Sequence, residues 1–247
     1  AAAWAAGGVA AAVGVPCLDR WIHKQVEELE VDDVDEANQL FRSLLRLTEL
    51  EGGTISIDGV DISKIDLDVL RSSVAIIPQE PVLFSGSIRR NLDPFGTRSD
   101  DDLWAALRRS NLEPTINSLQ GGLDFEVSEG GENFSLGQRQ LLCLARALVR
   151  KSRILLLDEA TSSIDYNTDL IIQRTIREEA SRSGCTVITI AHRLDTIMDS
   201  DRVLVMDNGQ VAEYDSPANL LAQRGSLLSK LVEADKQQLP GRSESTV

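Results

Sequence analysis

Two adjacent carboxylates, Asp158 and Glu159, follow a run of four apolar residues, Ile154-Leu-Leu-Leu157. A continuous apolar run of that length suits a buried parallel strand, and ligands of open α/β folds bind at the carboxyl edge of such strands. At that edge Asp158 could hold Mg²⁺ through its water shell, while Glu159, facing elsewhere, could polarise a water in line with a terminal phosphate. Taken alone, an acid after a strand is equally well a cap on the next helix. Upstream, Phe134-Ser-Leu-Gly-Gln138 directly precedes an amphipathic stretch. The hydroxyl of Ser135, the backbone amides freed at Gly137 and a helix N-terminus together make an anion site, although the same residues also make an ordinary cap. Gln79, after Val74-Ala-Ile-Ile77 and Pro78, could ligate a metal or a water through its amide oxygen. His192, just past Thr186-Val-Ile-Thr-Ile190, could donate to a phosphate oxygen. Each of these also has a plain reading, a solvated glutamine and a structural histidine, and His23 has only the plain one.

Those groups need a scaffold that gathers them. Thr54-Ile-Ser-Ile57, the turn Asp58-Gly59 and Val60-Asp-Ile62 predict a β-hairpin, and Arg202 to Met206, Asp207-Asn-Gly-Gln210 and Val211 to Tyr214 predict a second. In the second, Asn208-Gly209 supplies the positive φ angles of a type I′ turn. Between the hairpins the pattern is α/β. Gln138 to Arg150 has apolar residues at 141, 142, 144, 145, 148 and 149, one face of a helix. Thr168 to Arg182 predicts another helix stopped by Gly184, and Thr186 to Ile190 another buried strand. Leu40 to Leu50, apolar at 40, 41, 44, 45 and 47, predicts a helix able to dock on a core. Residues 236 to 247 form a polar tail.

The chain has 247 residues and 42% hydrophobic composition, enough for a buried core. Its 25 Lys and Arg against 39 Asp and Glu leave a formal charge of -14, which argues against a general binder of nucleic-acid backbones. Local backbone dipoles can still hold an anionic nucleotide. The three cysteines, Cys17, Cys143 and Cys185, are widely spaced, suggesting neither a disulfide framework nor a zinc site, and fit a reducing, cytoplasmic setting. Ala1 to Leu18 is mostly Ala and Gly, without a basic flank, and is not expected to span a bilayer or act as a signal. The chain is expected to be a fragment of a longer protein.

Taken in order, Gln79, Ser135 to Gln138, Asp158-Glu159, Asp165 and His192 plainly resemble the ATP-binding cassette of ABC transporters, over residues from about 41 to 235. By that resemblance Gln79 matches the Q-loop, Phe134 to Gln138 the signature motif and Ile154 to Asp158 the Walker B strand. Glu159 matches the catalytic glutamate, Ser162-Ser-Ile-Asp165 the D-loop and His192 the switch histidine. "PQEPVLFSGSIRRNLDPFG" and "ENFSLGQRQLLCLARALVR" look more narrowly like the second cassette of eukaryotic C-subfamily exporters, the multidrug-resistance-associated group. Leu136 stands where most cassettes have a second Gly, but a branched apolar residue is common there in this subfamily. The resemblance implies a P-loop NTPase-like α/β fold with a mostly parallel core sheet, flanking hairpins and a helical signature subdomain at about 90 to 150. It implies ATP and Mg²⁺ as cofactors, with catalytic roles for Glu159, His192 and Gln79, metal ligation by Asp158 and Gln79, and ATP contacts from Ser135, Leu136, Gly137, Gln138 and Asp165. The implied partners are a second cassette, paired head to tail, and the transporter's transmembrane domains. The implied place is the cytosolic face of a plasma or vacuolar membrane, with no insertion by residues 41 to 247.

The family also implies an aromatic residue, a strand and a glycine-lysine phosphate loop before residue 41. Counting back from Glu51-Gly-Gly53, with Arg46 as the family's helix-end arginine, the lysine position falls near Ala37. The corresponding loop, Val31-Asp-Asp-Val-Asp-Glu-Ala37, presents carboxylates to a triphosphate. Like charges ~4 Å apart at an effective dielectric of ~20 repel by roughly 4 kcal/mol. The expectation is therefore an ABC cassette incomplete at its N-terminal side, with residues 1 to 40 unassigned. Its sheet is expected to leave Ile154 to Leu157 short of a neighbour, since the Ala-rich segment around Val9, Val13 and Val15 is a poor substitute strand. Three functions compete: the ATPase motor of an exporter in a truncated or mis-spliced chain, a non-catalytic module lending its signature motif to a partner cassette, and a cassette of a non-transport ATPase. Duplex binding at physiological salt would favour the last.

Overall fold

The computed structural model describes residues 9–13, 36–50, 52–158, 164–190 and 197–238. The chain divides into two units, one of Asp66–Ile188 and one of Ala1–Ile65 with Thr189–Val247. In chain order the elements are β1 (Val9–Val13), α1 (Glu36–Leu44), β2 (Ser56–Ile57), β3 (Val60–Asp61), α2 (Leu67–Ser73), β4 (Val74–Ile77) and β5 (Gly86–Ser87). There follow α3 (Ile88–Leu92), α4 (Asp100–Arg109), α5 (Glu113–Ser118), β6 (Glu126–Val127), α6 (Leu136–Arg150), β7 (Ile154–Asp158) and α7 (Tyr166–Ser183). The last are β8 (Thr186–Ile190), β9 (Arg202–Asp207), β10 (Gln210–Asp215), α8 (Pro217–Ala222) and α9 (Leu227–Gln238).

In the Asp66–Ile188 unit the apolar run 154–157 forms β7, parallel to β4 in a register that pairs Val74 with Ile154 and Ile77 with Leu157. The expected gap beside β7 is not there, because the strand lies between β4 and β8. Arg153 N–H donates to Ser73 O at 3.0 Å and Thr186 N–H to Arg153 O at 2.9 Å, so the backbone turns inward to both neighbours just before β7 begins. The predicted helix 138–150 starts two residues earlier, and Leu141, Leu142, Leu144, Ala145, Leu148 and Val149 are all buried. It packs on α3, α4, α7 and β4. The helix predicted at 168–182 spans Tyr166–Ser183 and stops where Gly184 takes φ 66°, a left-handed conformation that suits glycine.

The segment after β4 has almost no regular structure, yet it is held firmly. Asn91, 1% exposed, donates through Nδ2 to Phe84 O at 2.7 Å and Ser87 O at 3.2 Å, and its Oδ1 accepts from Phe84 N–H at 2.9 Å. Arg146 on α6 completes the arrangement, donating from Nε to Asn91 O at 2.7 Å and from Nη2 to Asn91 Oδ1 at 3.1 Å. Elsewhere in the unit, Arg109 of α4 and Arg182 pair with the buried Glu179 of α7. Thr175 Oγ1 donates to Arg109 O at 3.1 Å.

In the other unit β9 and β10 form the predicted hairpin, with Asn208 at φ 51° and Gly209 at φ 74° as the I′ turn requires. The first hairpin also forms, but with only two residues in each strand. Against expectation, the Ala-rich run makes a strand: β1 pairs antiparallel with β9, from Val9 opposite Val205 to Ala12 opposite Arg202. The ladder's backbone hydrogen bonds outweigh weak side-chain propensity, which is the usual outcome when tertiary context is strong. Helix α1 is displaced from the expected 40–50, beginning at Glu36 and ending at Leu44. The chain leaves it through Arg46 at φ 50°, whose Nη1 donates to Ile62 O at 3.2 Å and Ile65 O at 2.7 Å and so ties down the β3 end of the hairpin. Ile197, Val203, Val205, Leu220 and Leu228 form this unit's buried cluster. The Glu213 carboxylate accepts from the N–H groups of Leu227 and Leu228, at 3.1 Å for the latter, and caps α9. That helix runs to Gln238, into the predicted tail. Among the described residues no helix is long and apolar enough to cross a membrane.

Asn91→Ala should lower stability by about 3 kcal/mol, because each buried group it leaves unpaired costs ~1 to 3 kcal/mol. Urea unfolding should show a lower midpoint at an unchanged slope; a loss below about 0.5 kcal/mol would mean that water replaces the amide freely.

Candidate functional site

Gln79 and Asp158 leave the same edge of adjacent parallel strands. The register ends with Ile77 level with Leu157, so Asp158 closes β7 at the level of Pro78 and Gln79 follows one residue beyond. Asp158 is half-buried and Gln79 exposed. Mg²⁺ takes oxygen ligands, and a carboxylate with an amide oxygen at one edge is a donor set that fits it. Among the described residues no group of three or more His, Cys, Asp or Glu side chains gathers at any one point.

The second element of the site is the start of α6. Ser135 is its N-cap, and its Oγ accepts from Gln138 N–H at 3.2 Å while Gln138 Oε1 accepts from Ser135 N–H at 2.9 Å, a reciprocal capping box. The plain reading of these residues is therefore satisfied in full. It does not exhaust the helix end, since only some of the first four N–H groups find partners in a cap and the positive end of the helix dipole stays in place.

A third element meets it. Asp165 caps α7, accepting from Thr168 N–H at 3.0 Å and Thr168 Oγ1 at 2.7 Å. Those hydrogen bonds, the one from the Thr168 hydroxyl above all, hold the Asp165 carboxyl below its ordinary range. A Cβ at Gly137 would lie 3.1 Å from Thr168 Oγ1 and 3.4 Å from Asp165 Oδ2. Glycine here serves close approach, placing two helix N-termini side by side, and its φ is unremarkable. The structure thus brings Ser135, Leu136, Gly137, Gln138 and Asp165 together, and separately Gln79 with Asp158. Glu159 and His192, along with Ser162 and Ser163, lie outside the described residues.

Sequence reading missed Thr168 and Gln140. Gln140 Nε2 donates to Pro78 O at 3.0 Å, which brings the second turn of α6 beside the residue preceding Gln79. The available signal was a glutamine next to Leu141, Leu142 and Leu144 in a helix that buries them all. Cys143, buried one turn on, has its thiol pKa pushed up by that burial and is a packing residue.

Two outcomes test this geometry. Gly137→Ala should be destabilising in the wild-type background and better tolerated with Thr168→Ala, with a coupling of at least ~0.5 kcal/mol by thermal unfolding. Additive effects would remove the proposed close approach. The depressed Asp165 pKa gives a contribution to stability that is present above the ordinary aspartate value and is lost as pH falls through the lowered one. Wild-type α7 should therefore fray in acid below about pH 4, and Asp165→Asn should lack that step in an NMR titration of the Thr168 amide.

Residues 39–162 match the family described as ABC transporter. The chain is 60% identical over 182 residues to ATP-binding cassette sub-family C member 3 of Homo sapiens, covering 74% of this chain and 12% of that protein. It is 55% identical over 197 residues to ATP-binding cassette sub-family C member 2 of Rattus norvegicus, covering 80% of this chain and 13% of that one. It is likewise 55% identical over 191 residues to ABC transporter C family member 3 of Dictyostelium discoideum, with 77% and 13% covered. The chain therefore spans only 12 to 13% of the length of these relatives. The matched residues hold the parallel strands β4 and β7, the loop of Gln79 and the capped helix at Ser135, and the chain belongs to the ABC transporter family, as a cassette similar to those of sub-family C.

Proposed function

We propose that this chain is the cassette of a sub-family C exporter that closes its Ser135–Gln138 motif over ATP held by a second cassette, and that it does not hold ATP by itself. The observation that carries this reading is the contrast between two helix starts. At α6 the signature residues are ordered by a complete capping box. At α1 the helix opens with Glu36 and Ala37, after Asp32, Asp33 and Asp35, and Ala37 is 0% exposed. A phosphate loop needs backbone N–H groups and a lysine at that point. A buried alanine preceded by acids supplies no lysine, and the acids bring negative charge in its place.

Within a paired transporter the roles would divide by side. Ser135, Leu136, Gly137, Gln138 and Asp165 would face the partner cassette's ATP. Asp158 and Gln79, with Glu159 and His192, would flank the site on this chain's own side, the one that has lost its phosphate loop. Hydrolysis would drive movement of transmembrane domains carried by the rest of the protein, with the cassette at the cytosolic face of the membrane.

Two measurements check the reading. Thermal unfolding of the chain should be unmoved by millimolar Mg-ATP; ligand at 100 times its dissociation constant would add ~2.7 kcal/mol, so an upward shift of several degrees would mean the chain binds ATP unaided. Co-sedimentation with an intact, hydrolysis-blocked sub-family C cassette should occur with Mg-ATP and be lost with Ser135→Asp. That variant keeps the helix cap and sets a carboxylate against the phosphates. Equal association of wild type and variant would sink the proposal.

A further inference from the structure

Gln140, Cys143 and Arg146 stand three residues apart on one face of α6, and all three donate to oxygens of the segment that follows β4. Gln140 Nε2 reaches Pro78 O at 3.0 Å, Cys143 Sγ reaches Val82 O at 3.8 Å, and Arg146 reaches Val82 O through Nη1 at 3.1 Å and Asn91 O through Nε at 2.7 Å. The ladder suits a segment that contains Pro78 and Pro81, which lack N–H groups and cannot build a strand of their own. Its first rung holds the carbonyl immediately before Gln79.

Gln140 is the unexpected member. It is 0% exposed, and its Oε1 is buried without a hydrogen-bond partner among the described residues. A leucine there would pack as Leu141 and Leu142 do and would bury no amide. What the glutamine adds is one donor, aimed at Pro78 O. It sits two residues beyond Gln138, whose side chain closes the cap on Ser135, so about 7.5 Å of rigid helix separates Ser135 from Gln140.

We propose that Gln140 is a positioning residue, tying the Ser135–Gln138 cap to the loop that carries Gln79. A displacement of the α6 N-terminus passes through the Gln140–Pro78 bond and re-aims Gln79. Resting on the functional reading above, this joins the motif that closes over the partner's ATP to the glutamine that serves this chain's own side.

The test is a double-mutant cycle read by amide hydrogen exchange, on the full chain with neither nucleotide nor partner. Ser135→Ala loosens the cap, and in the wild-type background it should speed exchange at Gln79, Glu80, Val82, Leu83 and Phe84 roughly threefold or more, leaving α4 unchanged. In the Gln140→Leu background the same substitution should have no effect on those amides. A merely structural Gln140 would change the loop's exchange by itself but leave the Ser135 effect intact. Equal effects in both backgrounds, or none in wild type, would overturn the proposal. Gln138→Ala and the isosteric Gln140→Glu repeat the cycle if either first variant does not fold. Because the cycle needs no ATP, its failure and a failure of partner association are separate results.

Discussion

The Asp66–Ile188 unit depends on one half-buried cation. Arg146 projects from α6 into the irregular segment after β4, and its guanidinium is satisfied by the carbonyls of Val82 and Asn91 and the amide oxygen of Asn91. Burial pulls its pKa down, the expected direction for a charge taken out of water. Neutral oxygens repay that desolvation only where several converge in fixed positions, so the guanidinium dictates the loop's path as firmly as the loop dictates the guanidinium's place. Asn91 and the turn from Phe84 to Ser87 follow from it. So does Phe84, whose exposed ring lies 5.5 Å below the Arg146 carbon as a cation–π partner.

The same helix sets the site at its other end. A capping box fixes the first turn of α6, and glycine at its second position admits the first turn of α7 against it. Two helix N-termini placed together would ordinarily repel through their dipoles, and Asp165 offsets this with a charge kept ionised by Thr168. Capping box, close glycine contact and Asp165 cap thus fix the two helix starts against each other.

The acidic approach to α1 stands apart from this consistency. Just before the matched residues 39–162, Asp32, Asp33, Asp35 and Glu36 precede a buried Ala37. Local rules at a helix start favour acids, because they interact well with the dipole, and α1 forms accordingly.

Sequence alone determined the elements whose causes are local. Asn208-Gly209 demanded a tight hairpin, Ser135 and Gln138 wrote a helix cap, Gly184 wrote a helix stop, and the apolar run 154–157 wrote a buried strand ending in Asp158. The order of Gln79, Ser135, Asp158 and Asp165 along the chain was enough to indicate the family. Tertiary structure decided what depends on residues distant in sequence. It recruited the Ala-rich run into a ladder with β9, gave β7 neighbours on both sides, set Gly137 against Thr168 and aimed Gln140 at Pro78. Hydrogen-bond ladders and close approaches are properties of pairs, and one member of a pair does not name the other.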